Sequence, residues 1–150
     1  MKKFKFKLDP VLRYRKYKER LAQIELVKAK HAVLEKEQQI NNLEVKKNNT
    51  TVEMKNKEDE GVSTAIYKLY ENYLFGLTTS IEYENTLLTE LQQKMIERQK
   101  LLNSERIKRE TLERMEEIEK VKYIQWAIKT EQKMMDEMVA LKGHPEGEKV

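Results

Sequence analysis

The feature that most constrains this chain is an unbroken stretch with helical periodicity, from Asp9 to about Glu58. It contains no glycine, and its one proline, Pro10, stands in the first turn. Apolar residues recur along it at steps of three and four, which is the spacing of one face of an α-helix. A helix of this length extends about 75 Å and cannot cover its own apolar stripe. The stretch therefore predicts one long helix over residues 9–58 that packs against a second helix of similar length.

Composition favours an elongated helical structure over a compact globule. Of 150 residues, 37% are charged and 39% are hydrophobic, and the mean hydropathy is −0.84. Such a composition with sustained helical periodicity is typical of a coiled coil, and the periodicity argues against disorder. The length fits one domain, so residues 1–150 are expected to form a single all-α hairpin. Because there is no cysteine and no apolar run near the ~20 residues that span a bilayer, we expect a soluble intracellular protein.

The first helix is expected to begin at Asp9 and Pro10. An aspartate at the N-cap accepts hydrogen bonds from free backbone amides, and a proline at the first helical position loses none. The preceding residues, MKKFKFKL, alternate basic and apolar side chains. No strand is predicted to pair with them, so we expect a frayed lead-in or one more helical turn. Phe4 and Phe6 then either pack on neighbouring residues or face a partner.

Two apolar stripes compete for the packed face of the first helix. We favour the longer stripe, which becomes polar towards the middle, where buried Asn and Gln would set the register at a cost in stability. Its members are Val11, Leu12, Tyr14, Tyr17, Leu21, Ile24, Val27, His31, Leu34, Gln38, Asn41, Val45, Asn48 and Val52. The competing stripe comprises Leu26, Val33, Ile40 and Leu43.

A reversal of the chain is predicted at residues 59–63. Gly61 can adopt the left-handed conformation that closes a helix, and Ser63 or Thr64 can cap the next one. Because short connections join antiparallel neighbours, the two helices are expected to run antiparallel.

The second helix is predicted over residues 64–141, followed by a loose tail at 142–150. Gly76 allows two interpretations. There is either a short extra helix or a kink near residues 64–80, or Gly76 lies inside one continuous helix. We favour the continuous helix, despite a cost of ~1 kcal/mol. The apolar residues first keep heptad spacing and then drift by steps of three, which overwinds a supercoil. They are Leu74, Leu77, Ile81, Leu88, Leu91, Met95, Leu102, Leu112, Met115, Ile118, Val121, Ile124, Ile128, Met135 and Met138.

The two predicted helices differ in length. A continuous second helix extends about 115 Å, so roughly 25 of its residues would pass the amino-terminal end of the first. Residues from about 113 onward would then project. The methionines near its end, Met134, Met135 and Met138, are expected to be mostly core, although methionine also suits adaptable surfaces.

Charge is distributed unevenly along the chain. The net charge is +4, yet residues 1–30 hold eleven basic and three acidic residues, so residues 31–150 are mildly acidic. A basic end points to an acidic partner or to nucleic acid. Nucleic-acid binding by a long helix needs the charge on one face, whereas here it surrounds the helix, so an acidic partner is favoured.

No pattern of side chains predicts catalysis, a cofactor or a metal. His31 and His144 offer no pair on one helix face, and His31 is interpreted as a packed or hydrogen-bonded residue of the favoured stripe. No glycine-rich loop precedes a helix to bind phosphate, and no histidine lies near a serine to activate it. The glutamate-rich run 113–119 is interpreted as a solvated face. We therefore expect no enzyme activity and no small-molecule substrate.

Three segments share a pattern with a known family. The opening carries Phe4, Phe6, Leu8, Pro10, Val11, Leu12, Arg13, Tyr14, Arg15, Lys18 and Glu19. The end carries Glu131, Lys133, Asp136 and Glu137, and an aromatic block lies at residues 67–77. In these features the chain resembles the flagellar export protein FliJ family. The resemblance covers the whole length, but only the first ~27 residues are specific, since the remainder is generic coiled coil.

The resemblance implies an antiparallel coiled coil similar to the central stalk of rotary ATPases. It further implies that the protein binds the hexameric ATPase of flagellar type III export and promotes its assembly and activity. Coupling to the export gate protein and handling of unloaded export chaperones are implied as well. The paired termini, including residues from about Val121 to Met138, would contact the ATPase. Candidate ATPase contacts are Lys2, Lys5, Lys7, Arg13, Arg15, Lys16, Lys18 and Arg20.

The aromatic block has two interpretations. Its tyrosines either close the end of the hairpin or face a partner, which on the family picture is the gate. Candidate gate contacts are Tyr67, Tyr70, Tyr73 and Phe75.

The implied location is the cytoplasm, peripherally at the inner face of the cell membrane at the flagellar base. The alternatives are a virulence type III secretion stalk, a generic coiled-coil scaffold and a basic nucleic-acid-binding rod.

Overall fold

The computed structural model describes residues 2–143, and within that range the chain forms two long helices packed against each other and no strand. Helix α1 spans Asp9–Glu60 (52 residues) and helix α2 spans Thr64–Lys142 (79 residues). The predicted all-α fold class is confirmed. Helix α2 continues through Gly76 without a break, as favoured from the sequence.

The chain divides into two compact units, each of which contains parts of both helices. The hairpin unit consists of Arg20–Ser104, and the terminal unit combines residues 2–19 with residues 105–143. The helices of the hairpin unit run antiparallel, because residues further along α1 contact residues earlier on α2. Lys36, for example, contacts Glu84, whereas Glu53 contacts Tyr70.

The reversal between the helices uses the predicted residues. Gly61 has a φ of 88°, in the left-handed region, and its amide donates to the Glu58 carbonyl at 3.1 Å. The Ser63 carbonyl accepts a bond from the Tyr67 amide at 3.1 Å, and the Ser63 hydroxyl accepts one from the Ile66 amide at 3.5 Å. These contacts satisfy groups that helix ends otherwise leave unpaired.

Alanine at two glycines should change stability in opposite directions. At Gly61 the positive φ disfavours any side chain, so Gly61→Ala should lower the unfolding free energy by about 1 kcal/mol. At Gly76, inside α2, an added Cβ meets no atom within 4 Å, so Gly76→Ala should raise it by roughly 0.5–1 kcal/mol. Urea unfolding followed by circular dichroism measures both. Equal changes in the unfolding free energy for Gly61→Ala and Gly76→Ala would contradict the assignment of Gly61 to the turn.

The packed face of α1 in the hairpin unit is the competing stripe. Leu26, Val33 and Ile40 are buried, and Leu43 is half-buried. The prediction that the favoured stripe forms the packed face of α1 is wrong. Its apolar members in this unit are 40–65% exposed, and its histidine, glutamine and asparagines are exposed as well: Leu21, Ile24, Val27, His31, Leu34, Gln38, Asn41, Val45, Asn48 and Val52. The packed face also contains buried Ala22 and Ala29, whose small side chains let the two helices approach closely.

The packed face of α2 in the hairpin unit has unbroken heptad spacing. Its buried and half-buried members are Leu74, Leu77, Ile81, Glu84, Leu88, Leu91, Met95, Arg98 and Leu102. Glu84 accepts a 2.6 Å hydrogen bond from Lys36, and both side chains are about one-fifth exposed (19% and 23%). One ion pair therefore interrupts an otherwise mainly apolar interface, where a polar layer can fix the register.

The terminal unit has a smaller apolar core. Phe6 and Leu12 are buried, while residues 2–6 are not helical, so the lead-in does not form an extra helical turn. Helix α1 begins at Asp9. The Leu8 carbonyl accepts the first helical hydrogen bond, from the Leu12 amide at 2.9 Å, so the N-cap residue is Leu8 and not Asp9. The Asp9 carboxylate forms an ion pair with Arg13 at 2.7 Å.

Candidate binding surfaces

The lead-in presents lysines to solvent and packs its aromatic rings. From Lys3 to Lys7, exposed lysines alternate with a half-buried Phe4 and a buried Phe6. The Phe4 ring lies 5.6 Å from the Tyr123 ring, and the Tyr123 hydroxyl donates a hydrogen bond to the Lys2 carbonyl. Of the two sequence-based interpretations of Phe4 and Phe6, packing on neighbouring residues is therefore correct.

The predicted ATPase contacts differ in exposure and in whether they already contact another side chain. Lys2, Lys5 and Lys7 are exposed, and no ion pair within residues 2–143 involves them. Arg13 is also exposed, although it pairs with Asp9. Arg20 is exposed but belongs to the hairpin unit.

The engaged basic residues of the terminal unit point towards acidic or aromatic groups. Arg15 lies 3.9 Å from Glu105 with its side chain 32% exposed, and Lys16 lies 4.0 Å from Glu113. The Lys18 ammonium lies 5.6 Å from the centre of the Tyr14 ring, within range of a cation–π contact. We therefore expect the lead-in lysines to be more available to a partner than Arg15.

An ionic cluster joins α1 to α2 within the terminal unit. The Arg109 guanidinium donates to both oxygens of Glu19 and, at 2.7 Å, to Glu113. The hydrogen bond with Glu19 is the largest cause that raises the pKa of Arg109 above its usual value. Arg106 lies 3.9 Å from the same Glu19 carboxylate. Buried Glu105 lies outside this cluster: it is 3.9 Å from Arg15 and 3.6 Å from Lys108, and one of its oxygens has no hydrogen-bond partner within the described chain.

The last part of α2 is exposed on all sides. Every residue from Glu131 to Gly143 is exposed. The three methionines here are 60–66% exposed, so the prediction that they are mostly core is wrong: Met134, Met135 and Met138. Val121, Ile124 and Ile128 are also about half exposed. The predicted contact segment from Val121 to Met138 thus exposes apolar side chains to solvent.

The aromatic block divides into half-buried and exposed side chains. Tyr67 and Tyr70 are half-buried near the reversal, and Tyr70 donates a 3.2 Å hydrogen bond to Glu53. Tyr73 is 51% exposed and Phe75 76% exposed. An open cleft beside these side chains is lined by Thr50, Glu53, Ile66, Leu69, Tyr70 and Tyr73. The two half-buried tyrosines help to close the hairpin, while the other two aromatic residues are exposed to solvent.

The surroundings of the two half-buried tyrosines raise the pKa of both hydroxyls. The negative charge of Glu58, followed by its hydrogen bond, raises the pKa of Tyr67. Burial, followed by the hydrogen bond with Glu53, raises the pKa of Tyr70.

No grouping of side chains in residues 2–143 has the composition of a metal site. His31 is exposed and lies 3.0 Å from Glu35, so it is paired with a neighbour but is not part of the packed face. His144 lies outside the described residues. No helix in the described part of the chain is long and apolar enough to cross a membrane.

Comparison with known proteins identifies one family. The family model described as Flagellar FliJ protein matches residues 4–147, which is nearly the whole chain. No curated protein and no solved structure matches the chain. FliJ proteins are non-catalytic components of the flagellar export apparatus. The family match, together with the two-helix architecture, shows that this chain belongs to the flagellar FliJ family.

Proposed function

We propose that the chain is a stalk-like component that binds the hexameric flagellar export ATPase, promotes its assembly and activity, and couples it to the export gate. Handling of export chaperones is part of the same proposal. The observation that carries it is the family match over residues 4–147, because it assigns the chain to the export apparatus. As part of that apparatus the chain would act in the cytoplasm, peripherally at the membrane, and serve motility and chemotaxis.

The surface proposed to contact the ATPase is the terminal unit. Its lead-in lysines are exposed, and its α2 end exposes apolar side chains up to Leu141, which is 80% exposed. A charged and apolar combination suits binding to an acidic, concave protein surface, because charge accelerates the encounter and apolar burial holds the complex. Arg15 should contribute less, since it is already engaged by Glu105.

The surface proposed to contact the gate is the exposed part of the aromatic block. Tyr73 and Phe75 expose aromatic rings at the reversal end of the hairpin unit. Large aromatic side chains that remain open to water commonly mark protein-binding sites.

Charge reversal in the lead-in tests the ATPase contact. With Lys2, Lys5 and Lys7 changed to Glu, the concentration of chain needed for half-maximal stimulation of the export ATPase should rise roughly tenfold or more near physiological salt. The physical reason is that an attractive surface becomes a repulsive one. The measurement is the rate of ATP hydrolysis as the chain is titrated into the purified ATPase.

A matched control keeps the interpretation specific. Lys46, Lys55 and Lys68 are exposed residues of the hairpin unit, and their change to Glu alters the net charge equally. This control should stimulate like the unaltered chain. Equal loss of stimulation in both variants would show a net-charge effect, and no loss in the lead-in variant would rule out this surface.

A further inference from the structure

Helix α1 has a second heptad stripe on a face that α2 does not cover. From Ile24 to Val52 its steps alternate three and four without interruption, all within the hairpin unit. We call this the outer stripe; its members are Ile24, Val27, His31, Leu34, Gln38, Asn41, Val45, Asn48 and Val52. All nine are exposed, and the five aliphatic members are 45–65% exposed.

The outer stripe lies opposite the packed stripe. Ile24 stands two positions after Ala22 and two before Leu26, which is a rotation of about 200° in either direction around an α-helix. A sequence that sustains two heptads on opposite faces of one helix is suited to contact two different helices. One of these contacts is made by α2, and the outer stripe remains available for the other.

The charges beside the outer stripe are arranged in a self-complementary order. The flanking positions of its amino-terminal half carry Lys28 and Lys30, and the next heptad carries Glu35 and Glu37 at the equivalent positions. Two copies placed antiparallel, with their centre between His31 and Leu34, bring each basic pair against an acidic pair. This complementarity favours a second copy of the chain as the occupant of the stripe.

We propose that two copies of the chain pair antiparallel through their outer stripes over residues 24–41. Lys28 lies against Glu35 of the second copy, and Lys30 lies against Glu37 of the second copy. Two-fold symmetry repeats both contacts, so four pairs of opposite charge flank the interface. A parallel pairing aligns only Lys30 with Glu35, twice, so it has two pairs of opposite charge instead of four.

The composition of the stripe defines the strength of the dimer. Antiparallel pairing sets Leu34 against His31 of the second copy and Val27 against Gln38 of the second copy. Layers of one aliphatic and one polar residue fix the register but contribute less than wholly apolar layers. The dimer is consequently weak and depends on concentration and salt.

The contacts that these side chains make within one chain do not prevent them from pairing with a second copy. His31 lies 3.0 Å from Glu35 and Lys28 lies 3.5 Å from Glu25, and these side chains are 46–70% exposed. Exposed pairs of this kind contribute little to stability, so their partners can change on association. The hairpin packing is unaffected, because the outer stripe makes no part of it.

Sedimentation equilibrium with charge-swapped variants tests this dimer. The unaltered chain should rise from 18.0 kDa towards twice that mass as its concentration increases through the micromolar to millimolar range. Lys28→Glu with Lys30→Glu should weaken association roughly tenfold or more, and so should Glu35→Lys with Glu37→Lys. An equimolar mixture of the two variants should associate again, since every contact between unlike copies then joins opposite charges.

Controls make each result decisive. Lys46→Glu with Lys55→Glu changes the charge outside the paired residues and should leave the dimer intact, and circular dichroism should show unchanged helix content in all variants.

Because the chain has no cysteine, a mixture of His31→Cys and Leu34→Cys chains reports the orientation of the two copies by disulfide formation between unlike copies. A chain that stays at 18.0 kDa throughout would overturn the proposal and leave the stripe to another protein. Association that survives both charge swaps, or is not restored by mixing, would overturn it as well. This inference does not rest on the proposed function, since mass is measured on the isolated chain.

Discussion

Leu102→Ala is expected to lower the unfolding free energy by about 2–3 kcal/mol, whereas Leu101→Ala should change it by no more than about 0.5 kcal/mol. The two leucines are adjacent in α2 but face different surroundings. Leu102 is 4% exposed and packs in one cluster with Ala22 and Leu26, while Leu101 is 43% exposed. Truncation at Leu102 leaves an unfilled space between the helices, and truncation at Leu101 mainly removes a side chain from water.

Urea unfolding of the two alanine variants, followed by circular dichroism, measures this difference. The pair forms its own control because both variants lose the same atoms from the same helix. A cost at Leu101 that matches the cost at Leu102 would mean that the packed face of α2 is assigned to the wrong side.

Arg109→Ala is expected to destabilise the terminal unit by roughly 1–3 kcal/mol. Glu19 has a side chain only 13% exposed, and Arg109, itself 22% exposed, donates to both of its oxygens. Without the guanidinium, a poorly hydrated carboxylate keeps only the 3.9 Å contact with Arg106. This expected loss of stability is smaller than the loss on breaking a fully buried ion pair, because water partly screens the pair of Arg109 and Glu19.

Hydrogen–deuterium exchange measures this loss where it occurs. Amides of residues 9–19 and 105–115 should exchange faster in the variant, and those of the packed hairpin unit should change little. Arg106→Ala is the matched control, since Arg106 is 45% exposed, and it should cost no more than about 0.5 kcal/mol. Unchanged exchange after Arg109→Ala would show that the cluster does not hold α1 to α2.

Replacing both partners separates the charge from the packing. Glu19→Leu combined with Arg109→Leu should be close to neutral or stabilising, because two apolar side chains avoid the desolvation cost of the ions. A double variant as unstable as Arg109→Ala would indicate that shape, rather than the unpaired charge, causes the loss.

The fold could be predicted from sequence where one pattern had no rival. The reversal followed from Gly61, and the packed face of α2 from Leu74 to Leu102 followed from a single heptad stripe. Helix α1 was ambiguous because it carries two heptads. The favoured stripe held more large apolar residues, but the packed one includes Ala22 and Ala29. Small residues give a weak hydrophobic signal even though they permit close helix packing.

The polar contacts between the helices were the least predictable feature. Extending the α2 heptad from Ile81 to Leu88 places Glu84 on the packed face, so the periodicity alone locates this charged residue. The partners Lys36 and Arg109 could not be inferred, because pairing depends on the exact alignment of two helices. The basic lead-in was predicted as a contact surface, and its exposure agrees with that use but does not test it.

Site-specific photocrosslinking to the purified export ATPase tests the central claim most directly, namely that the terminal unit is the part of the chain that meets the ATPase. A photoreactive amino acid at Lys5, which is exposed in the lead-in, should crosslink to the ATPase. The same group at Phe75, exposed near the reversal, should not. Crosslinking from Phe75 without crosslinking from Lys5 would contradict the account.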